Sequence, residues 1–399
     1  MKKKIISALL CVSMVATMVA GCGGSSDTTS ADNSNSGAAA PATESGSDAA
    51  ETDTTGDEGK VFNIYCWNEE FKSRLTDHYP GYEEVDATTG KIGDVTVKWN
   101  ITPSDDNAYQ NNLDATLLKQ ESAAADDKID LFLVEADYAL KYVNTDYTMS
   151  VADLGITADD YANSYQYNLD LGSDVDGNVR ALFWQATPGC YAVRADLAEK
   201  YLGTTDPAAL AEKFKDLDTI VATAKEVNDA SGGKCKLFSG YDEIKRSLTG
   251  SRTQGFYDEN DKITIDDNIK TYMETAKTLY DEDLTFNTDQ WSADWSANMS
   301  GDGVDSNAAL AYMGCPWFVY WSLSDAWKGN TILVPTQTKC YWGGTGLAAT
   351  TDCADTELAA KIMKFFTCDE DGMVAINALN SDYVNNTAAV SKIIEAGTS

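Results

Sequence analysis

Several short stretches of this chain place a flat aromatic ring beside a carboxylate or amide. They are Trp67-Asn68-Glu69, Glu135-Ala136-Asp137-Tyr138, Trp184-Gln185, Asp289-Gln290-Trp291 with Asp294-Trp295, Trp317, and Trp342-Gly343-Gly344. That pairing has a definite chemistry. A pyranose ring has an apolar C–H face that packs on an aromatic surface, and a rim of hydroxyls that suits paired hydrogen bonds to carboxylate and amide groups. No single cluster is specific; their repetition after apolar runs carries the signal.

Other chemistry finds little support. The one histidine, His78, lies in the loop-like "LTDHYPGY". G-x-S-x-G, the P-loop and a complete G-x-G-x-x-G are all missing from the sequence. "DVDGN" lacks the spaced ligands and terminal Glu of a calcium loop and reads as a turn. A glycosidase needs only two carboxylates flanking a bond, and among 63 acids no pair stands out. The expectation is recognition without turnover, with no metal and no cofactor.

Each tryptophan also has a packing explanation. Trp291 and Trp295 are four apart, as are Trp317 and Trp321, so either pair could be the buried stripe of one helix. Pro316 favours a helix starting close to Trp317, which puts that ring at a strand-to-helix junction and towards a ligand. Trp321, Trp327 and Trp99 are expected to pack in the core or on the surface, and Trp295 stays open between the two roles.

The elements that must position these residues follow from periodicity. "KVFNIYCWNEEF" begins as a strand and leads into a helix, and "DVTVKWNIT" alternates as a second strand. Leu113, Leu117 and Leu118 have helical spacing. The run Ile129 to Val134 is apolar on both faces, as in a strand buried on both sides. Strand and helix alternate as in an α/β sheet with crossovers. "NVRALFWQATPGCYAV" reads as a further strand after the turn at Asp176-Gly177-Asn178. Helical patterns then dominate, with strand-like "AALAYMGCPWF" and "NTILVPTQTKCYWGGTGLAATT" between the later ones. The order predicts two α/β lobes with the chain crossing between them more than once.

The amino end predicts export. Lys2, Lys3 and Lys4 precede the mostly apolar Ile5–Ala20, and Val19-Ala20-Gly21-Cys22 resembles a lipobox, with Cys22 taking lipid. Residues 1–21 are then a signal peptide, and 22–60, poor in anything a core could use, a flexible acidic tether. The remaining chain is expected to divide into a first lobe at 61–178, a second lobe at 179–340, and a return to the first at 341–399. The site of action is the outer face of the cell membrane, reached through the lipid anchor only. Loss of the three signal lysines takes the formal charge from −33 to −36, which repels nucleic acid and anionic lipid. Seven cysteines remain without CxxC spacing, one pair of them open to oxidation and the rest reading as small buried hydrophobes.

"AALAYMGCPWF" resembles the A-M-x-x-x-G-P-W segment of the family 1 extracellular solute-binding proteins of carbohydrate ABC transporters, the maltose-binding-protein-like class. "DLFLVEADY" is similar to that family's first-lobe strand and ligand loop. "GNVRALFWQATPGCYAVRADL" is similar to its crossing segment, and "CYWGGTGLAATTDCADTELAAKIMKFFT" to its W-G-G-x-G strand and following helix. The resemblance implies a periplasmic-binding-protein-like α/β fold of two lobes closing on a ligand. It implies a monomer that binds an oligosaccharide and delivers it to permease subunits. Trp317 would stack on sugar; Glu135, Asp137, Asn68 and Glu69 would come from the first lobe; Trp184 and Trp342 would flank the cleft. Trp291, Trp295 and, more weakly, Arg252 complete the candidate set. A peptide or polyamine is the alternative ligand, and a secreted glycosidase the alternative class. Cys315 stands where the family usually has Gly, and the chain ends at "SKIIEAGTS" where relatives usually continue, so either a shortened C-terminus or an incomplete sequence is expected.

Overall fold

A computed structural model describes residues 60–397. The signal segment, Cys22 and the tether up to Gly59 lie outside the described residues. Twelve strands are named in chain order: β1 Val61–Cys66, β2 Tyr82–Glu84, β3 Thr89–Ile92, β4 Val95–Ile101, β5 Leu131–Glu135, β6 Leu182–Phe183, β7 Cys190–Arg194, β8 Cys235–Lys236, β9 Ala308–Ala309, β10 Ala311–Gly314, β11 Thr331–Pro335 and β12 Thr345–Ala349.

The first lobe is built on a seven-stranded sheet of order β2-β3-β4-β1-β5-β12-β6. β1 runs parallel to β4 and β5, so these strands deliver their carboxyl ends to the same edge. β12 enters antiparallel beside β5, with Thr345 opposite Glu135, and β6 pairs antiparallel with β12. The run in β5 serves both faces, as its apolarity predicts. Leu131 and Leu133 join Phe62, Ile64, Phe71, Trp99 and Phe366 on one side, while Phe132 and Val134 join Tyr109, Leu113 and Tyr142 on the other. The hairpin β2–β3 was not expected. Asp86 organises its turn by accepting from the Thr88 and Thr89 backbone N–H groups at 2.8 and 2.9 Å.

The second lobe carries a three-stranded antiparallel sheet, β10-β7-β11, and the short parallel pair β8–β9. Its core gathers Tyr191, Phe214, Phe238, Leu248, Trp295, Phe318 and Trp327. Five aspartates cap helix starts. Asp206, Asp216, Asp266, Asp355 and Asp369 each accept a backbone N–H at the mouth of a helix, a cap worth about 1 kcal/mol. The last three helices, Thr356–Thr367, Glu370–Asn380 and Thr387–Ala396, bury Phe366, Ile376 and Ile393 in the first-lobe core.

Both segments read as single strands divide between the lobes. "NVRALFWQATPGCYAV" becomes β6 in the first sheet and β7 in the second, and the stretch from Asn330 becomes β11 and β12. Where they cross, the two connections lie side by side. Gly189 N–H donates to Cys340 O at 2.9 Å and Trp342 N–H to Thr187 O at 3.1 Å. Pro188 offers no N–H to continue a ladder, and Gly189 approaches so closely that a Cβ there would sit 2.3 Å from Cys340 Sγ. Cys66, Cys190, Cys235, Cys315, Cys340, Cys353 and Cys368 are all free thiols, fully or partly buried. Among the described residues no helix is long and apolar enough to cross a membrane.

Candidate functional site

Strand direction assembles the site. β1 ends at Cys66 and releases Trp67, Asn68 and Glu69 just before the helix Glu70–His78. Asn68 Oδ1 turns the chain into that helix by accepting from Glu70 N–H at 3.0 Å. β5 ends at Glu135 on the same edge, where Asp137 N–H donates to Glu135 Oε2 at 3.0 Å. β12 brings Gly343 and Gly344 against it. Gly343 has a φ of +68°, and a Cβ there would lie 2.8 Å from Glu135 Oε1 and 3.4 Å from Trp317 Nε1. A glycine is therefore what allows both Glu135 and Trp317 to approach the backbone there.

From the second lobe, β10 leads through Cys315 into a turn of helix that starts at Pro316, as its proline predicts, and becomes π-helical over Phe318–Ser322. Trp317 sits at its start. Its Nε1 donates to Trp342 O at 3.1 Å and its ring meets Trp342 edge-on at 4.9 Å. The result is an open cavity of about 530 Å³ lined by Trp67, Asn68, Glu69, Glu70, Ser73, Arg74, Glu135, Gln185, Trp317, Trp321, Gly343, Gly344 and Thr345.

The cavity has a charged floor. Arg74 Nε and Nη2 donate to Asp382 Oδ2 and Oδ1 at 2.8 and 2.9 Å, and Gln185 Nε2 donates to Glu70 Oε1 at 2.8 Å. Burial, reinforced by Asp382, pushes the Glu70 carboxyl up to about 7 against the pull of Arg74. Burial and then Asp137 likewise push Glu135 up to about 7. Both carboxyls therefore change charge near neutral pH.

Of the expected site residues, Asn68, Glu69, Glu135 and Trp317 line this cavity. The others fall elsewhere. Trp184 is buried in the first-lobe core, its ring 5.2 Å from Phe71; its neighbour Gln185, also past the end of β6, lines the cavity instead. Trp295 is the buried inner residue of the helix Ala293–Ser300, with Nε1 donating to the fully buried Glu243 at 2.8 Å. Trp291 precedes that helix with a φ of +69° and is 54 % exposed, so the two do not form one helical stripe. Its ring stacks against Trp317 at 6.5 Å and 16°, outside the cavity lining. Trp342 is buried behind Trp317 as its support. Asp137 pairs with Arg246. Arg252 donates to Thr249 O at 3.0 Å and lies over Phe256 at 4.5 Å, outside the cavity wall.

Trp321, expected to pack, lies in the π turn, is 61 % exposed and lines the cavity, with the Tyr320 ring edge-on at 4.8 Å. Trp327 and Trp99 are buried. The floor residues Glu70 and Arg74 escaped sequence reasoning, and Gln185 entered it only as the amide beside Trp184. Glu70 and Arg74 are spaced for one face of the helix that follows the Asn68-Glu69 motif, a signal that was available. Arg246 had no comparable signal. Among the described residues no group of three or more His, Cys, Asp or Glu is placed to hold a metal ion.

Comparison with known proteins agrees with the architecture. The family described as bacterial extracellular solute-binding protein matches residues 84–392. A crystal structure of an extracellular solute-binding protein family 1 member superposes with a TM-score of 0.65 at 15 % identity, covering 84 % of this chain and 81 % of the other. The sugar-binding protein MalE from the phytopathogen Xanthomonas citri gives 0.62 at 12 %, covering 84 % and 82 %. The ABC transporter associated binding protein from B. animalis subsp. lactis Bl-04, solved with beta-1,6-galactobiose, gives 0.54 at 18 %, covering 83 % of each chain. No curated protein sequence matches the chain.

Proposed function

Since the chain belongs to the bacterial extracellular solute-binding proteins, we propose that it is the capture component of an ABC importer and binds an oligosaccharide between its lobes. The observation that carries this reading is the meeting of Trp67, Trp317 and Trp321 with Asn68, Glu69, Glu135 and Gln185 around one open cavity. Rings from both lobes offer flat apolar faces, and the polar groups between them suit a rim of hydroxyls. A volume of about 530 Å³ falls in the range of small-molecule sites. The sugar-bound and sugar-binding relatives support the ligand class. On this reading Cys22 carries the lipid anchor, and the bound sugar passes to permease subunits whose partner ATPases supply the energy.

The test is thermal shift of the purified protein against starch, plant and host oligosaccharides. A ligand held only by the folded state raises the midpoint by mass action, and one glycan class should do so. Mass spectrometry of the incubated glycan should find it intact. A cooperative melt that no glycan shifts, or a cleaved product, counts against the proposal.

A further inference from the structure

The cavity's charges are unevenly placed. Glu69, Glu70 and Glu135 face it, whereas among its described lining residues Arg74 alone is basic. Arg74 is not available to a ligand's acid group. Asp382 takes its Nε and Nη2 at 2.8 and 2.9 Å, and Nη1 donates to Ser73 Oγ at 2.9 Å. Drawing the guanidinium away would strand Asp382, which is itself buried. The nearby cations are likewise held. Lys72 pairs with Glu84 at 2.9 Å and Glu69 at 3.4 Å, and Arg246 pairs with Asp137 at 3.1 Å.

Resting on the oligosaccharide reading above, we propose that the cleft sorts glycans by charge, admitting neutral and amine-bearing saccharides and rejecting uronates and sulfated sugars. A ligand carboxylate would meet acidic side chains with no unengaged cation among the described lining residues to answer it, and desolvation on entry sharpens that repulsion. A ligand ammonium would find acceptors in Glu70 and Glu135, whose crowding by Asp382 and Asp137 a positive charge relieves. The raised pKa of each group, caused first by burial and then by those neighbouring carboxyls, agrees with this. An arriving cation favours their ionised forms, so binding an amine near neutral pH releases protons to solvent.

Calorimetry of the purified protein near neutral pH, in two buffers of different ionisation enthalpy, would compare cellotriose, maltotriose, galactobiose, the glucosamine trimer, trigalacturonate and spermidine. We expect binding of a neutral or amine-bearing saccharide at least about tenfold tighter than trigalacturonate, with proton release for the glucosamine trimer. In the Glu70→Gln/Glu135→Gln variant that margin and the proton release should both shrink. Trigalacturonate binding as tightly as the neutral saccharides would overturn the sorting and leave the sugar reading intact. Spermidine binding alone would overturn the sugar reading and leave discrimination by charge standing. No binding by any probe removes both.

Discussion

Arg246 and Asp137 tie the two lobes together beside the cleft. The guanidinium Nη1 and Nη2 donate to Asp137 Oδ1 and Oδ2 at 3.2 and 3.1 Å, and the same group lies over the Trp342 ring at 4.6 Å. Asp137 leaves the carboxyl end of β5, while Arg246 sits on the short helix Lys245–Thr249 of the second lobe. The fork geometry and the aromatic platform give a pair that holds a defined inter-lobe arrangement.

Both partners are partly open to solvent, so their coupling should be modest, roughly 0.2–1 kcal/mol. Asp137→Ala and Arg246→Ala should each change ligand affinity by less than about tenfold, and the double variant by less than the sum of the two. The coupling should also fall with added salt. A calorimetric double-mutant cycle at two ionic strengths reads all three. Fully additive, salt-independent effects would mean that the pair does not govern closure.

Trp321 and Trp184 separate binding from packing. The Trp321 ring is largely exposed on the cavity wall, so Trp321→Ala should weaken glycan binding about tenfold while unfolding stability stays within roughly 0.5 kcal/mol. Trp184 is enclosed among Phe71 and the first-lobe core, so Trp184→Ala should cost about 3–5 kcal/mol of stability. Denaturant titration and calorimetry on both proteins decide the matter. Unchanged affinity in the Trp321 variant would remove that ring from the ligand path.

Three carboxyls, two on the cavity wall and one in the second-lobe core, contribute to the pH response of the unliganded protein. Glu70 and Glu135 are raised from an ordinary 4.5 to about 7, and Glu243 to about 8, in each case chiefly by burial. The folded chain therefore keeps protons that the unfolded chain has already lost between about pH 4.5 and 8. Their contribution is fully present below that window and is lost as pH rises through 7 to 8. Asp160, lowered to about 2 by the Thr157 backbone N–H and Lys364, acts oppositely and loses its contribution as pH falls towards 2. The melting midpoint should peak near pH 5 and decline towards pH 8. Glu243→Gln should lower the midpoint, since the amide cannot accept both from Trp295 Nε1–H and from Met313 N–H, yet flatten the decline. A wild-type midpoint that climbs from pH 5 to 8 would show that these groups ionise freely.

Local pattern determined a good deal by itself. The two-sided apolarity of β5, the strand-to-helix step after Cys66 and the proline before Trp317 each declared an element, because burial periodicity and backbone sterics act over a few residues. They also placed Asn68, Glu69, Glu135 and Trp317 at strand ends, where a ligand edge forms. Tertiary structure alone decided which tryptophans face the cleft. Trp184 and Trp321 exchanged their expected roles because distant segments pack over the first, Phe71 among them, and leave the second exposed on the cavity wall. It also decided the charge of the cavity. Arg74 meets Asp382 across 308 residues of chain, and no spacing rule reaches that far. Pairings between distant segments are set by how whole lobes pack, so the partner of a charge is invisible until the fold brings it near.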